Sequence, residues 1–151
     1  MTPQLSPLTL EVAVLLLGFF MLFHLWLGGL GTYCVARRWT EQNFPAAVAG
    51  VAYAFHGLSQ QSLMWPNNCA ALGLLPWVVL TAESGVRTGG RKLALAALVG
   101  ALQMLTGAPE VILFTWLIVA ALALGEGQRK KEKGKSAELP TAPDNTAQPF
   151  A

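Results

Sequence analysis

The feature that most constrains this chain is a run of 25 residues without a charged side chain, from Val12 to Ala36. A helix needs roughly 20 predominantly apolar residues to cross about 30 Å of hydrocarbon, so this run suffices for one crossing. Residues 1–11 contain Glu11 but no Lys or Arg, whereas a cleaved signal peptide starts with a basic region. The run is therefore predicted to be a transmembrane helix of the mature protein, preceded by a short extracytoplasmic N-terminus.

The composition supports the same class of protein. Hydrophobic residues make up 54% of the chain and charged residues only 12%. A soluble domain of this size needs a larger polar surface. We therefore predict an all-α integral membrane bundle, and we expect no nucleic-acid partner.

Two further apolar stretches are each too long for a single crossing. From Gln42 to Ala82 the chain carries no charge over 41 residues, about 60 Å as one helix, and Pro66 interrupts this stretch. From Leu93 to Gly125 the only charge is Glu110, which follows a Gly-Ala-Pro break. The pattern predicts about five transmembrane or partly re-entrant helices, at residues 12–36, 44–60, 66–82, 93–106 and 110–125. Residues 126–151 are rich in charge, Pro, Ala and Thr, and are predicted to form a disordered cytoplasmic tail.

All ten basic residues fall in three segments, which follow the first, third and fifth predicted spans. They are Arg37, Arg38, Arg87, Arg91, Lys92, Arg129, Lys130, Lys131, Lys133 and Lys135. Five spans place these three segments on one face of the membrane. The positive-inside rule then predicts a multi-pass protein with its N-terminus outside and its C-terminus in the cytoplasm.

Polar side chains collect at the predicted outer ends of spans two to five. They are His56, Gln60, Gln61, Trp65, Asn67, Asn68 and Glu110. Such groups suit a sugar or a lipid-phosphate headgroup, with an aromatic ring stacking on an apolar sugar face. Polar residues and Trp are also expected wherever turns lie in the interfacial belt, so the composition leaves both interpretations open.

Glu110 is the candidate catalytic residue, because a carboxylate beside a helix break can act as a base or a metal ligand. Its alternative role is to complement the helix dipole in the first turn of the last helix. His24 lies near the middle of the first span, where it is either functional or a neutral imidazole bonded to a neighbouring helix. Two Cys and two His give no metal-ligand spacing, so no metal site and no cofactor is identified.

Four segments in a fixed order resemble the YfhO-like family of bacterial polytopic membrane proteins. Between Leu22 and Leu124 they read GLGTYCVARR, AAVAGVAYAFHGL, WPNN leading to LGLLPWVVLTAE, and ALQMLTGAPEVILFTW. The resemblance implies a relation to the GT-C fold of glycosyltransferases, which move sugars from polyprenyl-phosphate donors at the outer face of the membrane. By that analogy the outer cavity would be shaped by Trp65, Pro66, Asn67, Asn68, Gln103, Gly107, Pro109 and Glu110.

The resemblance also implies a bacterial inner-membrane location, a polyprenyl-phosphate sugar as partner and, by analogy alone, a divalent cation. GT-C enzymes carry a carboxylate in a large first outer loop after an additional N-terminal helix, and the only acid before span one here is Glu11. We therefore expect a fragment of a GT-C-like, glycosyltransferase-related protein that is not active alone. Whether the chain is itself an enzyme stays open.

Two other functions are considered. One is a non-catalytic accessory subunit that packs onto a larger membrane protein or complex. The other is a small transporter, for which His24, with Gln103 and Thr115, would supply a polar midplane.

Overall fold

The computed structural model describes residues 7–138, with side chains described for residues 7–129. It contains six helices: α1 (Pro7–Thr40), α2 (Asn43–Phe55), α3 (Gly57–Ser62), α4 (Pro66–Thr88), α5 (Arg91–Leu105) and α6 (Pro109–Glu138). No strand occurs within residues 7–138. The all-α helical bundle predicted from the sequence is confirmed.

Three helices are long and apolar enough to cross a membrane, namely α1, α4 and the Pro109–Arg129 part of α6. α2 and α5 have 13 and 15 residues. At helical rise they are about 20 and 22 Å long, short of the roughly 30 Å of hydrocarbon. The five predicted transmembrane or partly re-entrant helices correspond in chain order to α1, α2, α4, α5 and α6. The re-entrant character of any of them stays a prediction.

Predicted span 44–60 is divided in two by His56. This residue has extended backbone angles, φ −70° and ψ 158°, and its Nδ1 accepts a hydrogen bond of 2.9 Å from the backbone N–H of Ser59. His56 therefore acts as the N-cap of the short helix α3, which the sequence interpretation did not separate from α2.

The first and last helices of the chain, α1 and α6, are longer than the predicted spans. α1 begins at Pro7 rather than residue 12, because the apolar run already starts at Leu8. α6 continues to Glu138, so residues 126–138 are helical and the prediction of disorder is wrong for them. Their Glu, Lys, Arg and Gln residues favour helix even without an apolar face. The remaining predicted tail, 139–151, and residues 1–6 lie outside the described residues.

The helices run back and forth between two ends of the bundle. We call the end with the α2–α3–α4 and α5–α6 turns, residues 56–68 and 106–110, the polar-turn end. The opposite, basic end carries Arg37, Arg38, Arg87, Arg91, Lys92 and Arg129. α4 is the central helix, since 56% of its most apolar window is buried, against 6% in α1 and in α6.

Glycines let the backbone of α1 come into close contact with the backbones of α2 and α4. A Cβ added to Gly50 of α2 would lie 2.7 Å from the carbonyl oxygen of Gly29 in α1. A Cβ added to Gly28 would lie 3.3 Å from the Cα of Gly73 in α4. Small residues at such contacts replace the hydrophobic driving force that is absent between helices in lipid.

Pro76 lies inside α4 and removes the N–H that would normally bond to the carbonyl of Leu72. The hydroxyl of Tyr53 in α2 donates to that carbonyl oxygen at 2.9 Å. Next along the chain, the indole N–H of Trp77 donates to the Leu27 carbonyl of α1 at 3.0 Å. The Tyr53 hydroxyl thus compensates the break in the α4 backbone ladder, as a membrane interior requires, and the Trp77 bond adds a link between α4 and α1.

We expect Tyr53→Phe to lower the free energy of unfolding by about 1 kcal/mol, because the Leu72 carbonyl loses its donor. In a Pro76→Ala background, the restored backbone N–H at position 76 can donate to the Leu72 carbonyl. Tyr53→Phe should then lower the free energy of unfolding by less than half as much. Unfolding of the full chain in detergent by denaturant titration measures both values. Tyr33→Phe is the control, since the Tyr33 hydroxyl has no hydrogen bond to any described residue. Equal losses in the two backgrounds would contradict this account.

Gly50→Ala should destabilise the bundle by about 1–3 kcal/mol, because the new methyl group meets the rigid backbone of α1. Gly18→Ala is the matched control in a helix, since nothing lies within 4 Å of a Cβ at that position. That control should be neutral or slightly stabilising. Thermal unfolding of the two purified variants separates the outcomes, and similar midpoints for both would refute close packing at Gly50.

Candidate functional site

Two of the predicted substrate-binding residues at the polar-turn end bond to the chain's own backbone. His56 caps α3 through the N–H of Ser59. The side-chain amide of Gln60 donates to the carbonyl oxygen of Ala54 at 3.2 Å. Both side chains remain exposed, so each retains polar atoms at the surface while it stabilises the turn.

Gln103 lies inside the bundle rather than at its surface. Its side chain is fully buried, and its amide nitrogen donates to the Ala71 carbonyl of α4 at 3.1 Å and to the Thr115 hydroxyl of α6 at 2.8 Å. Its Oε1 atom has no partner among the described residues. Gln103 therefore connects α5 to α4 and α6 and does not line an open outer cavity.

The remaining predicted site residues lie at the surface of the polar-turn end. Gln61, Trp65, Asn67 and Glu110 are exposed, and Asn68 is half-buried. Their side chains form no hydrogen bond within the described part of the chain. Glu110 is in the first turn of α6, where its charge complements the helix dipole. These five side chains share one end of the bundle and are free to contact a ligand.

His24 is half-buried in α1 beside a very small cavity. Its Nδ1 lies 2.8 Å from the Phe20 carbonyl oxygen of the preceding helical turn. The adjacent cavity, bordered also by Tyr53 and Ser59, has a volume of only about 10 Å³. That is room for at most about one water molecule.

A charged cluster at the basic end was missed by the sequence interpretation. The Glu83 carboxylate lies 3.0 Å from Nη2 of Arg87 and 3.8 Å from Nε of Arg38, and it accepts from the indole N–H of Trp39 at 3.2 Å. Arg87 also pairs with Glu126 of α6 at 2.6 Å. The side chain of Glu83 is only 4% exposed, so a buried carboxylate links α1 to α4, and Arg87 extends the cluster to α6.

The sequence did contain a signal for this cluster. Glu83 and Arg87 are spaced i,i+4, which pairs opposite charges on one helix face. The predicted third span ended at Ala82, which placed both residues in a loop. The i,i+4 spacing brings side chains together only in a helix. The helix in fact continues to Thr88.

A cavity of about 470 Å³ lies beside this cluster, between α1, α4 and α6. Residues from all three helices line it, including Arg38, Glu83, Arg87, Val119, Glu126 and Arg129. Among the residues the structure describes, no group of three His, Cys, Asp or Glu could hold a metal ion. The cavity offers arginine donors, apolar walls and two glutamate carboxylates that pair with Arg87.

Residues 10–139 match the model of a family described as "6-pyruvoyl-tetrahydropterin synthase related domain; membrane protein". The chain belongs to this family. Its description agrees with the apolar helices in assigning the protein to a membrane. The description says nothing about the YfhO-like family or the GT-C fold, and that resemblance stays a prediction. No curated protein and no solved structure matches the chain.

Glu83→Gln should lower the free energy of unfolding by about 1–2 kcal/mol, since it keeps the shape but removes the charge between two arginines. The cost stays moderate because Arg38 and Arg87 are partly exposed and water screens them. Glu41→Gln is the control, an exposed acid at the same end. Denaturant unfolding in detergent measures both, and equal effects would show that Glu83 does not bind the helices together.

Proposed function

We propose that this chain is the membrane-embedded, headgroup-binding part of a larger GT-C-like, glycosyltransferase-related protein that is not active alone. The polar-turn end would hold a polyprenyl-phosphate-linked sugar. The proposal combines the YfhO-like resemblance with one feature of the fold, the depth at which the polar turns lie.

The short helices set that depth. If the basic end lies at one membrane boundary, α5 reaches about 22 Å across a hydrocarbon layer of roughly 30 Å. The α5–α6 turn with Glu110 would then lie about 8 Å below the opposite boundary. Exposed polar groups at that depth are tolerated only where they line a water-filled cavity or are covered by protein.

α1 supplies one wall for such a cavity. The thiol of Cys69, in the first turn of α4, lies 3.7 Å from the Met21 carbonyl oxygen, which places Met21 level with the polar turns. Residues 7–20 of α1 continue beyond that level for about 21 Å, and they are exposed. The other walls would come from additional helices of the larger protein.

The exposed side chains at this end suit a sugar. Asn67 and Gln61 offer amide donors and acceptors, and Glu110 offers a carboxylate for sugar hydroxyls. Trp65 is 64% exposed, which leaves its ring free to stack on an apolar sugar face. His56, Gln60 and Gln103 would support the turn and the bundle beneath it. The divalent cation suggested by the resemblance would need ligands from the additional helices, because Glu110 is the one acid among these side chains and no described group could hold a metal ion.

The orientation completes the proposal. Six described basic residues lie at one end, which by the positive-inside rule would face the cytoplasm. The resemblance adds that the membrane would be a bacterial inner membrane. The polar-turn end and the N-terminus would then face outward, where polyprenyl-linked sugars are used by the resembled family.

An accessory, non-catalytic subunit is the second candidate, and the exposure of the two longest helices favours it. Only 6% of the most apolar window of α1 and of α6 is buried, so both helices offer long faces to neighbouring transmembrane helices. The transporter alternative is the least supported. Gln103 and Thr115 are fully buried and bonded to each other, so they line no path.

Binding to a polyprenyl-phosphate sugar tests the proposal. The full chain in lipid nanodiscs should retain a radiolabelled undecaprenyl-phosphate sugar, and Glu110→Gln should weaken retention about tenfold through loss of a charge-assisted hydrogen bond. Glu41→Gln, an exposed acid at the basic end, should leave retention unchanged. If wild type and Glu110→Gln retain equal amounts, the headgroup proposal fails. If a larger membrane protein also co-purifies with both, the accessory role takes its place.

A further inference from the structure

The cavity at the basic end lies at the opposite end of the bundle from the proposed sugar site. We propose that it binds the phosphate group of an anionic membrane lipid. The proposal goes beyond the function above, because it concerns the other face of the membrane and shares no residue with the polar turns.

The cavity combines apolar walls with a charged rim. Its walls come from α4 and α6, and include Ala82, Val86, Val119 and Leu122. These positions belong to the ends of helices long and apolar enough to cross a membrane. An acyl chain packed there would stay in contact with hydrocarbon while its headgroup reaches the rim.

Arginines from three helices form that rim. They are Arg38 of α1, Arg87 of α4 and Arg129 of α6. Arginine presents several N–H donors in a planar fork that matches the oxygens of a phosphate. Convergence from three helices places these donors around one cavity, which scattered surface charges do not.

Glu83 fixes two of these arginines without consuming all their donors. Its buried carboxylate contacts Nε of Arg38 and Nη2 of Arg87. The other nitrogens of Arg87 carry no contact within the described residues, and its side chain is 44% exposed. Glu83 therefore positions donors that remain available to a ligand.

The charge balance selects an anion. Arg38, Arg87 and Arg129 face Glu83 and Glu126, which leaves one net positive charge around the cavity. Glu126 is 20% exposed and pairs with the same Nη2 atom of Arg87 that contacts Glu83. Glu126 thus occupies a place that a phosphate would otherwise take, and acts as a competing internal anion.

The apolar wall argues for a lipid rather than free phosphate. Lipid phosphates lie at the membrane boundary, where juxtamembrane arginines attract anionic headgroups. A free phosphate ion would gain nothing from Val86, Val119 and Leu122. A bound lipid would place its phosphate at the arginine rim and its acyl chain against the apolar walls.

Lipid retention by the full chain tests the proposal. The chain would be reconstituted in nanodiscs with equal amounts of phosphatidylglycerol and phosphatidylcholine. Native mass spectrometry would then count the lipids that stay bound after the protein is released from the nanodisc. Wild type should retain phosphatidylglycerol preferentially. Arg129→Gln should reduce that retention about fivefold, the effect of one cation near a lipid surface. Arg91→Gln is the charge-matched control, an exposed arginine at the same end that does not line the cavity.

Glu126→Gln should change phosphatidylglycerol retention in the opposite direction. Removing the competing carboxylate should raise phosphatidylglycerol retention above that of wild type. Arg87→Gln should lower it, and Arg129→Gln keeps the test valid if loss of Arg87 unfolds the chain, because Arg129 has no ion pair within the described residues.

Three results would overturn the proposal. One is equal retention of the two lipids by wild type, and another is an equal loss in Arg91→Gln and Arg129→Gln, which would indicate diffuse surface attraction. The third is displacement of phosphatidylglycerol by millimolar inorganic phosphate, which would identify a free anion as the ligand.

Discussion

The structure depends on the close contact that α1 makes with α2 and α4. Helices in lipid gain little from burying apolar surface against each other, so the contact rests on short distances and on hydrogen bonds. Glycines at positions 28 and 29 of α1 meet glycines of both neighbours. This approach brings Trp77 within 3.0 Å of the Leu27 carbonyl of α1. Without the glycines, α4 would stand too far from α1 for the Trp77 bond to form.

The interior polar groups serve the fold before they serve any chemistry. Pro76 opens the hydrogen-bond ladder of α4, and Tyr53 closes it from the neighbouring helix. Gln103 and Thr115 likewise join α5 and α6 to the central helix. Because an unsatisfied backbone group in hydrocarbon is costly, such residues are needed wherever a membrane helix is interrupted. The side chains left for ligand binding are therefore those at the two ends.

The sequence predicted the fold class, the turn at Pro66 and the break before Glu110, because charge-free runs and prolines act locally. It missed α3, since a single capping histidine divides a continuous apolar stretch. It also placed Gln103 on an outer cavity, although only the packing of three helices shows that its amide points inward. Glu83 was overlooked because the predicted span ended at Ala82, which hid its i,i+4 pairing with Arg87, and because its other partner, Arg38, is 45 positions away in the chain. Local pattern thus located the elements, and contacts between distant residues decided which side chains remain free.

The two ends of the bundle differ in how much of their polar surface is already paired. At the basic end a buried glutamate binds side chains from α1 and from its own helix, and Arg87 extends the network to α6. At the polar-turn end Gln61, Asn67 and Glu110 have no such partners within the described residues. The paired arginines at the basic end are the feature on which the proposed lipid site rests. An open set of donors and acceptors suits a ligand that exchanges. Under the two proposals, one end of the chain would hold a membrane lipid and the other would hold the lipid-linked sugar.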